Sequence, residues 1–333
     1  MMTRRTVLAA AAAVLVVAGN AAFPAGAEAA GSVPGPLVTP QWLNEHLKDV
    51  VVIDLRDDLK ALTVEPKFKT DATTGKRSLA ETGGHISGAL SVDFSKIRET
   101  RAVEGMNLTA MLPTRDYFEK VMQDAGLERG KAIVIASVGQ NIESLDMATR
   151  LFFQLKYFGE ENIAVLNGGT NGWIAAGFAV STDAIVPKKG NWAATAERKE
   201  ILATIDDVKQ AVSGGKIQLI DARPVAQYYG LARSPVVLAA GHVSGARSLP
   251  SETVSRAVGG AHQFMTAEAY QALFKQQGID PKAASIAYCN TGHYASGGWF
   301  IAHEILGNRN AKMYAGSMNE WTHLKNPVVA LPE

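Results

Sequence analysis

Short, unbroken apolar runs that end in polar residues recur along this chain and divide it into two similar halves. Val50-Val51-Val52-Ile53 runs into Asp54-Leu55-Arg56, and Ile217-Gln218-Leu219-Ile220 runs into Asp221-Ala222-Arg223. Runs of this length, apolar at consecutive rather than alternate positions, predict strands buried on both faces. Ala132–Ser137 and Ala284–Cys289 repeat the pattern. Residues 114–125 and 266–277 carry a helical pattern, and the stretches Leu145–Tyr157 and Ser296–Leu306, each just after one of these strands, are also predicted helical. Strands alternating with helices predict an α/β fold in each half: an open, mostly parallel sheet covered by helices on both faces.

The halves match in more than rhythm. Gly84-His85-Ile86-Ser87-Gly88-Ala89 returns as Gly241-His242-Val243-Ser244-Gly245-Ala246, and Gly168-Gly169-Thr170-Asn171-Gly172-Trp173 returns as Gly316-Ser317-Met318-Asn319-Glu320-Trp321. Matching features in the same order at similar spacing indicate a duplicated domain. The expected boundaries are 37–181 and 196–328, joined by a linker over 182–195 where Pro187-Lys188-Lys189-Gly190-Asn191 is polar and turn-rich. Thirty residues separate Asp54 from His85 but only 20 separate Asp221 from His242. The extra piece, around Lys60 to Glu81, is polar and reads either as a solvated excursion or as a flap near the cleft between the domains.

A length of 333 residues suits two domains, and 47% hydrophobic residues suffice for two cores. The 33 basic and 32 acidic residues leave a net charge of +1, without the basic excess of a nucleic-acid-binding surface, so a small substrate is expected. Arg4 and Arg5 precede an apolar run from Val7 to Ala18, and Ala27-Glu28-Ala29 offers a small-x-small cleavage site. Residues 1–30 therefore read as a signal peptide, similar to the twin-arginine type, and predict a periplasmic or secreted bacterial protein that meets a membrane only during export.

In an oxidising compartment a single cysteine cannot form a disulfide within the chain. Cys289 stands where the strand Ala284–Tyr288 meets a helix, at the sheet edge where open α/β folds bind ligands. Backbone N–H groups and the helix N-terminus in such a turn stabilise an anionic sulfur and can cradle a persulfide, sulfonate or phosphate. Its counterpart in the first half is Ser137, a poorer nucleophile. No spacing of histidines and carboxylates makes a metal site, and no cofactor is expected.

From about Leu37 to Pro327 the chain resembles the tandem-domain rhodaneses, the thiosulfate and 3-mercaptopyruvate sulfurtransferases. The resemblance rests on the cysteine loop, Asp221-Ala222-Arg223 and the Gly-His-x-Ser-Gly-Ala turns in both halves. It implies two rhodanese-like domains, the first non-catalytic, and a Cys289 that takes sulfane sulfur from thiosulfate and passes it from a persulfide to a thiophilic acceptor such as cyanide. The loop implied to cradle the persulfide is Asn290, Thr291, Gly292, His293 and Tyr294, followed by Ala295. Its six positions from Cys289 are the spacing associated with sulfur transfer, where related phosphatases use a longer loop. Asn290 and Thr291 replace the basic pair of thiosulfate-specific members and the Gly-Ser of mercaptopyruvate-specific ones. That leaves a 3-mercaptopyruvate sulfurtransferase and a periplasmic, protein-partnered sulfur carrier as alternatives.

Arg223 has two readings: its fork binds donor oxygens, or it braces the sheet edge through Asp221, Glu252 or Glu268. His293 can hydrogen-bond, depress the cysteine pKa, meet the leaving group or face solvent. Tyr294 reads as a rim or packing residue and Ser296 as a cap for the following helix. His85 and His242 read as turn-holding residues, Trp173 and Trp321 as packing anchors, and Trp299 as core.

Overall fold

The computed structural model describes residues 31–332. The export signal expected over residues 1–30 lies outside them. Each half contains a five-stranded, all-parallel sheet. The first is built from Leu37–Val38, Val50–Arg56, Leu90–Asp93, Ala132–Ala136 and Ile163–Leu166; the second from Leu202–Ala203, Gln218–Asp221, Arg247–Ser248, Ser285–Tyr288 and Ala311–Tyr314. Numbered along the chain within each sheet, both have the spatial order 1-5-4-2-3. The register also repeats: Asp54 lies beside Ala136, and Asp221 beside Tyr288. The apolar runs therefore form central strands whose polar ends reach one edge together, which puts Asp54 and Arg56 near Ser137 in one half and Asp221 and Arg223 near Cys289 in the other.

The predicted helices form at Arg115–Asp124, Ala267–Gln276 and Ile142–Tyr157. The one expected over Ser296–Leu306 begins earlier, at His293, and after Phe300 loosens into a π-helical turn, Ile301–Ile305. Every residue from Ser144 to Tyr157 is buried because this helix packs against its own sheet and also against His293–Phe300 of the other domain. Phe152 meets Phe300 edge to face at 4.9 Å, and Phe153 meets Trp299 in the same way at 4.9 Å. Such pairs contribute about 0.5–1.5 kcal/mol each beyond burial. One hydrophobic core runs through both domains here. No helix among the described residues is long and apolar enough to cross a membrane.

The linker is not a free tether. Trp192 is fully buried and donates to Glu160 at 2.7 Å, while Gly190, Asn191 and Thr195 donate backbone bonds to the first domain. The extra segment of the first half forms a hairpin, Lys67–Thr70 with Arg77–Glu81. Its base, with Arg56, Val138 and Gln140, lines a cavity of about 400 Å³ at the strand ends of its own domain.

Two other hairpins cross between domains. Glu99–Met111 of the first reaches the second, where Asn319 donates to the Thr109 carbonyl at 2.9 Å. Arg256–Gln263 of the second reaches the first, where the matching Asn171 donates to Gly260 at 3.1 Å. His262 N–H also donates to Gly139 at 2.7 Å. Each domain thus covers the strand-end loop of its partner.

Candidate active site

Cys289 ends its strand and is only 1% exposed. The residues after it make a short loop, Asn290 to Gly292, before the helix begins at His293. The helix Ser317–His323 holds this loop from one side. Ser317 Oγ accepts from Cys289 N–H at 3.1 Å, and Met318 and Asn319 N–H donate to the Cys289 and Asn290 carbonyls at 3.0 and 2.9 Å. The Asn290 side chain donates to Gln227 Oε1 at 2.8 Å.

The start of the loop helix differs from its first-domain counterpart in the feature that matters for chemistry. The helix after Ser137 is closed by a capping box: Asn141 Oδ1 accepts from Ser144 N–H at 2.8 Å, and Ser144 Oγ accepts from Asn141 N–H at 3.2 Å. The helix after Cys289 is preceded by Gly292 at φ +78°, which has no side chain to accept those donors. Among the described residues, no protein acceptor takes the backbone N–H groups of Asn290 through Ala295. Six free N–H groups and the positive end of a helix therefore follow the sulfur, an arrangement suited to a persulfide anion. Loop and cysteine were legible in the sequence; the contrast between a capped and an uncapped helix was not drawn from it.

Arg223 and Asp221 are both buried at this edge. Arg223 Nε and Nη2 donate to Asp221 at 2.9 and 2.6 Å, and Nη2 also reaches the Gly241 carbonyl at 2.7 Å. Arg56 and Asp54 repeat the pair beside Ser137, with Arg56 reaching Gly84 at 3.2 Å. Of the two readings of Arg223, the geometry matches the bracing one: the fork is spent on Asp221 and on the Gly-His turn. Glu252 and Glu268 do not pair with it; Glu252 accepts from Val225 N–H instead.

His293 Nε2–H donates to the Glu143 carbonyl of the first domain at 2.9 Å. Its ring packs on Phe94 at 4.7 Å and stacks on Tyr294 at 5.3 Å. Burial, reinforced by the charges of Arg98 and Arg150, pushes its pKa down to about 3, so at neutral pH it is not a cation beside the thiol. Burial also pushes the Tyr294 phenol up, which keeps it protonated. Ser296 is no cap: it is fully buried, donates to the His293 carbonyl at 2.6 Å and meets Thr149 of the other domain at 2.8 Å. His85 and His242 bridge their turns to Ser181 and Val329, and Trp173 and Trp321 donate to Ala179 and Pro327 at 2.7 and 2.9 Å. Trp299 is fully buried.

Two further arginines reach the surroundings of the cysteine loop, and the sequence reading missed both. Arg98 and Arg150 belong to the first domain, which has no thiol of its own. Arg150 is fully buried, and its Nη1 donates to the Gly292 carbonyl at 3.0 Å. The available signal was a helix of Met147, Leu151, Phe152 and Phe153 interrupted by Asp146, Arg150 and Gln154. Polar residues set among consecutive large apolar ones mark a helix buried on all sides. Among the described residues no group of three or more histidine, cysteine, aspartate or glutamate side chains is placed to hold a metal.

With two parallel α/β domains and one cysteine cradled by a strand-end loop, the class is that of a duplicated sulfur-handling fold. The Rhodanese-like domain model matches residues 39–176 and again 204–324, and the chain belongs to the rhodanese family. It is 27% identical over 311 residues to the sulfur carrier protein TtuD of Thermus thermophilus, covering 90% of this chain and 98% of that one. It is 27% identical over 304 residues to a thiosulfate sulfurtransferase of Cricetulus griseus, covering 87% and 93%. The crystal structure of SseA from Escherichia coli, described as a 3-mercaptopyruvate sulfotransferase, superposes with a TM-score of 0.66 at 25% identity, covering 85% of this chain and 98% of that one.

Proposed function

We propose that the protein is a thiosulfate sulfurtransferase that works through a Cys289 persulfide. The observation that carries this reading is the row of six unpaired N–H groups directly after the thiol. The Cys289 thiolate attacks the outer sulfur of thiosulfate, a new S–S bond forms, the old one breaks, and sulfite leaves with the bonding pair. A thiophile such as cyanide then takes the terminal sulfur as thiocyanate and regenerates the thiolate. The free N–H groups hold the anionic persulfide between the two steps. The chemistry balances with the donor and the acceptor alone.

A second reading, 3-mercaptopyruvate as donor, is favoured by the neutral Asn290-Thr291 pair, because a keto-acid carries its charge farther from the transferred sulfur. A protein-partnered carrier, as the name of the Thermus relative describes that protein, differs in taking sulfur poorly from small donors. In this proposal residues 1–30 are an export signal and the mature chain works outside the cytoplasm, which cell fractionation tests.

Intact mass after incubation with each donor decides among them. A gain of one sulfur, about 32 Da, on wild type and none on Cys289→Ser supports the persulfide, and the donor with the higher kcat/KM names the subclass. Folded protein that takes sulfur from neither donor, but does so from a partner persulfide, selects the carrier.

A further inference from the structure

The catalytic loop brings no cationic side chain to its substrate: positions 290 to 295 are Asn, Thr, Gly, His, Tyr and Ala, and His293 is neutral at pH 7. Arg223 is committed to Asp221. Both small donors nevertheless end in an oxyanion, a sulfonate in thiosulfate and a carboxylate in mercaptopyruvate. Buried positive charge that is not already neutralised must come from elsewhere.

Arg150 has that property, and the partly buried Arg98 stands beside it in the same domain. Arg150 is fully buried and uses only Nη1, on the Gly292 carbonyl, leaving Nε and Nη2 without partners. Arg98 lies with its guanidinium 4.1 Å from the centre of the Phe94 ring, the same ring that packs on His293, and its buried Nε also lacks a partner. Among the described residues neither forms an ion pair with a carboxylate, although the charges of Asp93 and Asp57 act on Arg98 from farther off. Buried guanidinium donors left unspent, as on Arg150, are costly unless an anion completes them. The strand-end loop of the second domain supplies the nucleophile and the N–H cradle; the first domain supplies the charge.

We propose that Arg98 and Arg150 of the cysteine-free domain form the oxyanion-binding side of the Cys289 site and recognise the sulfonate or carboxylate end of the sulfur donor. This rests on the sulfur-transfer reading above. A planar guanidinium matches either group with paired N–H bonds, so the domain without a thiol acts as the specificity half of one composite site. Such a wall explains how a loop bearing Asn290 and Thr291 can still handle a charged donor.

The test compares the oxyanion-bearing donors with an alkyl hydropersulfide, which has no sulfonate or carboxylate, delivers the same sulfur and releases a thiolate. Arg98→Met keeps an unbranched, apolar stem and removes the charge and the guanidinium that lies over Phe94. Arg150→Lys keeps one positive charge and a donor for Gly292 but loses the fork. Each is expected to raise KM for thiosulfate or mercaptopyruvate about tenfold to a hundredfold, and to slow persulfide loading from the hydropersulfide far less. Equal losses with the oxyanion-bearing donors and with the hydropersulfide would mean that the arginines only hold the loop, and would overturn the assignment. Unchanged KM in both variants would overturn it as well. Wild-type protein that loads from the hydropersulfide but from neither anion would remove this inference and leave sulfur transfer standing. Wild type that loads from no donor would remove both.

Discussion

The Arg150 guanidinium crosses the domain boundary to hold the Gly292 carbonyl at 3.0 Å, in the place where the first bond of the following helix would ordinarily form. That strut fixes the turn on which the free N–H groups of the cysteine loop depend, and it ties the shape of the second domain's site to a residue of the first.

Gly292→Ala should test the strut directly. A methyl group at this position would come 2.1 Å from Arg150 Nη1 and 2.8 Å from the Ala315 carbonyl, and φ of +78° is unfavourable for any L side chain. The variant is expected to lose about 1–3 kcal/mol of stability and to load sulfur at least about tenfold more slowly. Urea unfolding and single-turnover mass spectrometry would measure the two effects.

Arg223→Met should damage folding more than donor recognition. Removing the guanidinium leaves Asp221 buried without its partner, which typically costs about 3–5 kcal/mol. The expected result is a lower melting temperature with KM for the donor nearly unchanged in the fraction that remains folded. Arg56→Met, at the matching position beside Ser137, should show a similar stability loss.

His293 sets a pH dependence of definite sign. Its pKa in the fold is about 3, below the ordinary 6.5, so between those values the unfolded chain binds the extra proton. Stability should therefore be unaffected by this group above about pH 6.5 and should decline as the pH falls from there towards 3. His293→Gln should flatten that acid slope in urea midpoints measured from pH 7 to pH 4.5. The wild-type rate should show no ionisation of this histidine between pH 5 and 8.

Asp146 works in the opposite sense. It is fully buried, neither carboxyl oxygen has a hydrogen-bond donor, and burial holds its pKa well above the ordinary 3.8. The unfolded chain gives up this proton at a lower pH than the fold does, so the group costs stability as the pH rises from about 4 through the raised pKa. Asp146→Asn should remove that loss and raise the melting temperature at pH 7, with little effect at pH 4.

Much of this was written in the sequence, and the reason is periodicity. A duplication offers two copies of every strand end, so Asp54–Arg56 and Asp221–Arg223 could be matched to one another, and Cys289 to Ser137, before any contact was known. The same matching made Arg223 ambiguous, because a pattern gives proximity and not the direction of a guanidinium. Ser296 misled for a related reason: a hydroxyl near a helix start suits a cap, but the helix begins three residues earlier and the hydroxyl turns into the interface. Arg98 and Arg150 were invisible because their function lies in the other half of the chain. Arg150 and Gly292 are 142 positions apart, and no local pattern encodes such a meeting.

The exchanged hairpins carry a consequence for how the protein can be divided. A fragment that ends in the linker would keep a complete sheet and lose the cover lent by the other half. Freed of Phe94, Glu143 and Arg150, which meet His293 and Gly292, the second domain would hold its cysteine loop without those supports. In the joined protein Cys289 is 1% exposed. The copy without a cysteine thus acts as a brace for the loop that carries one.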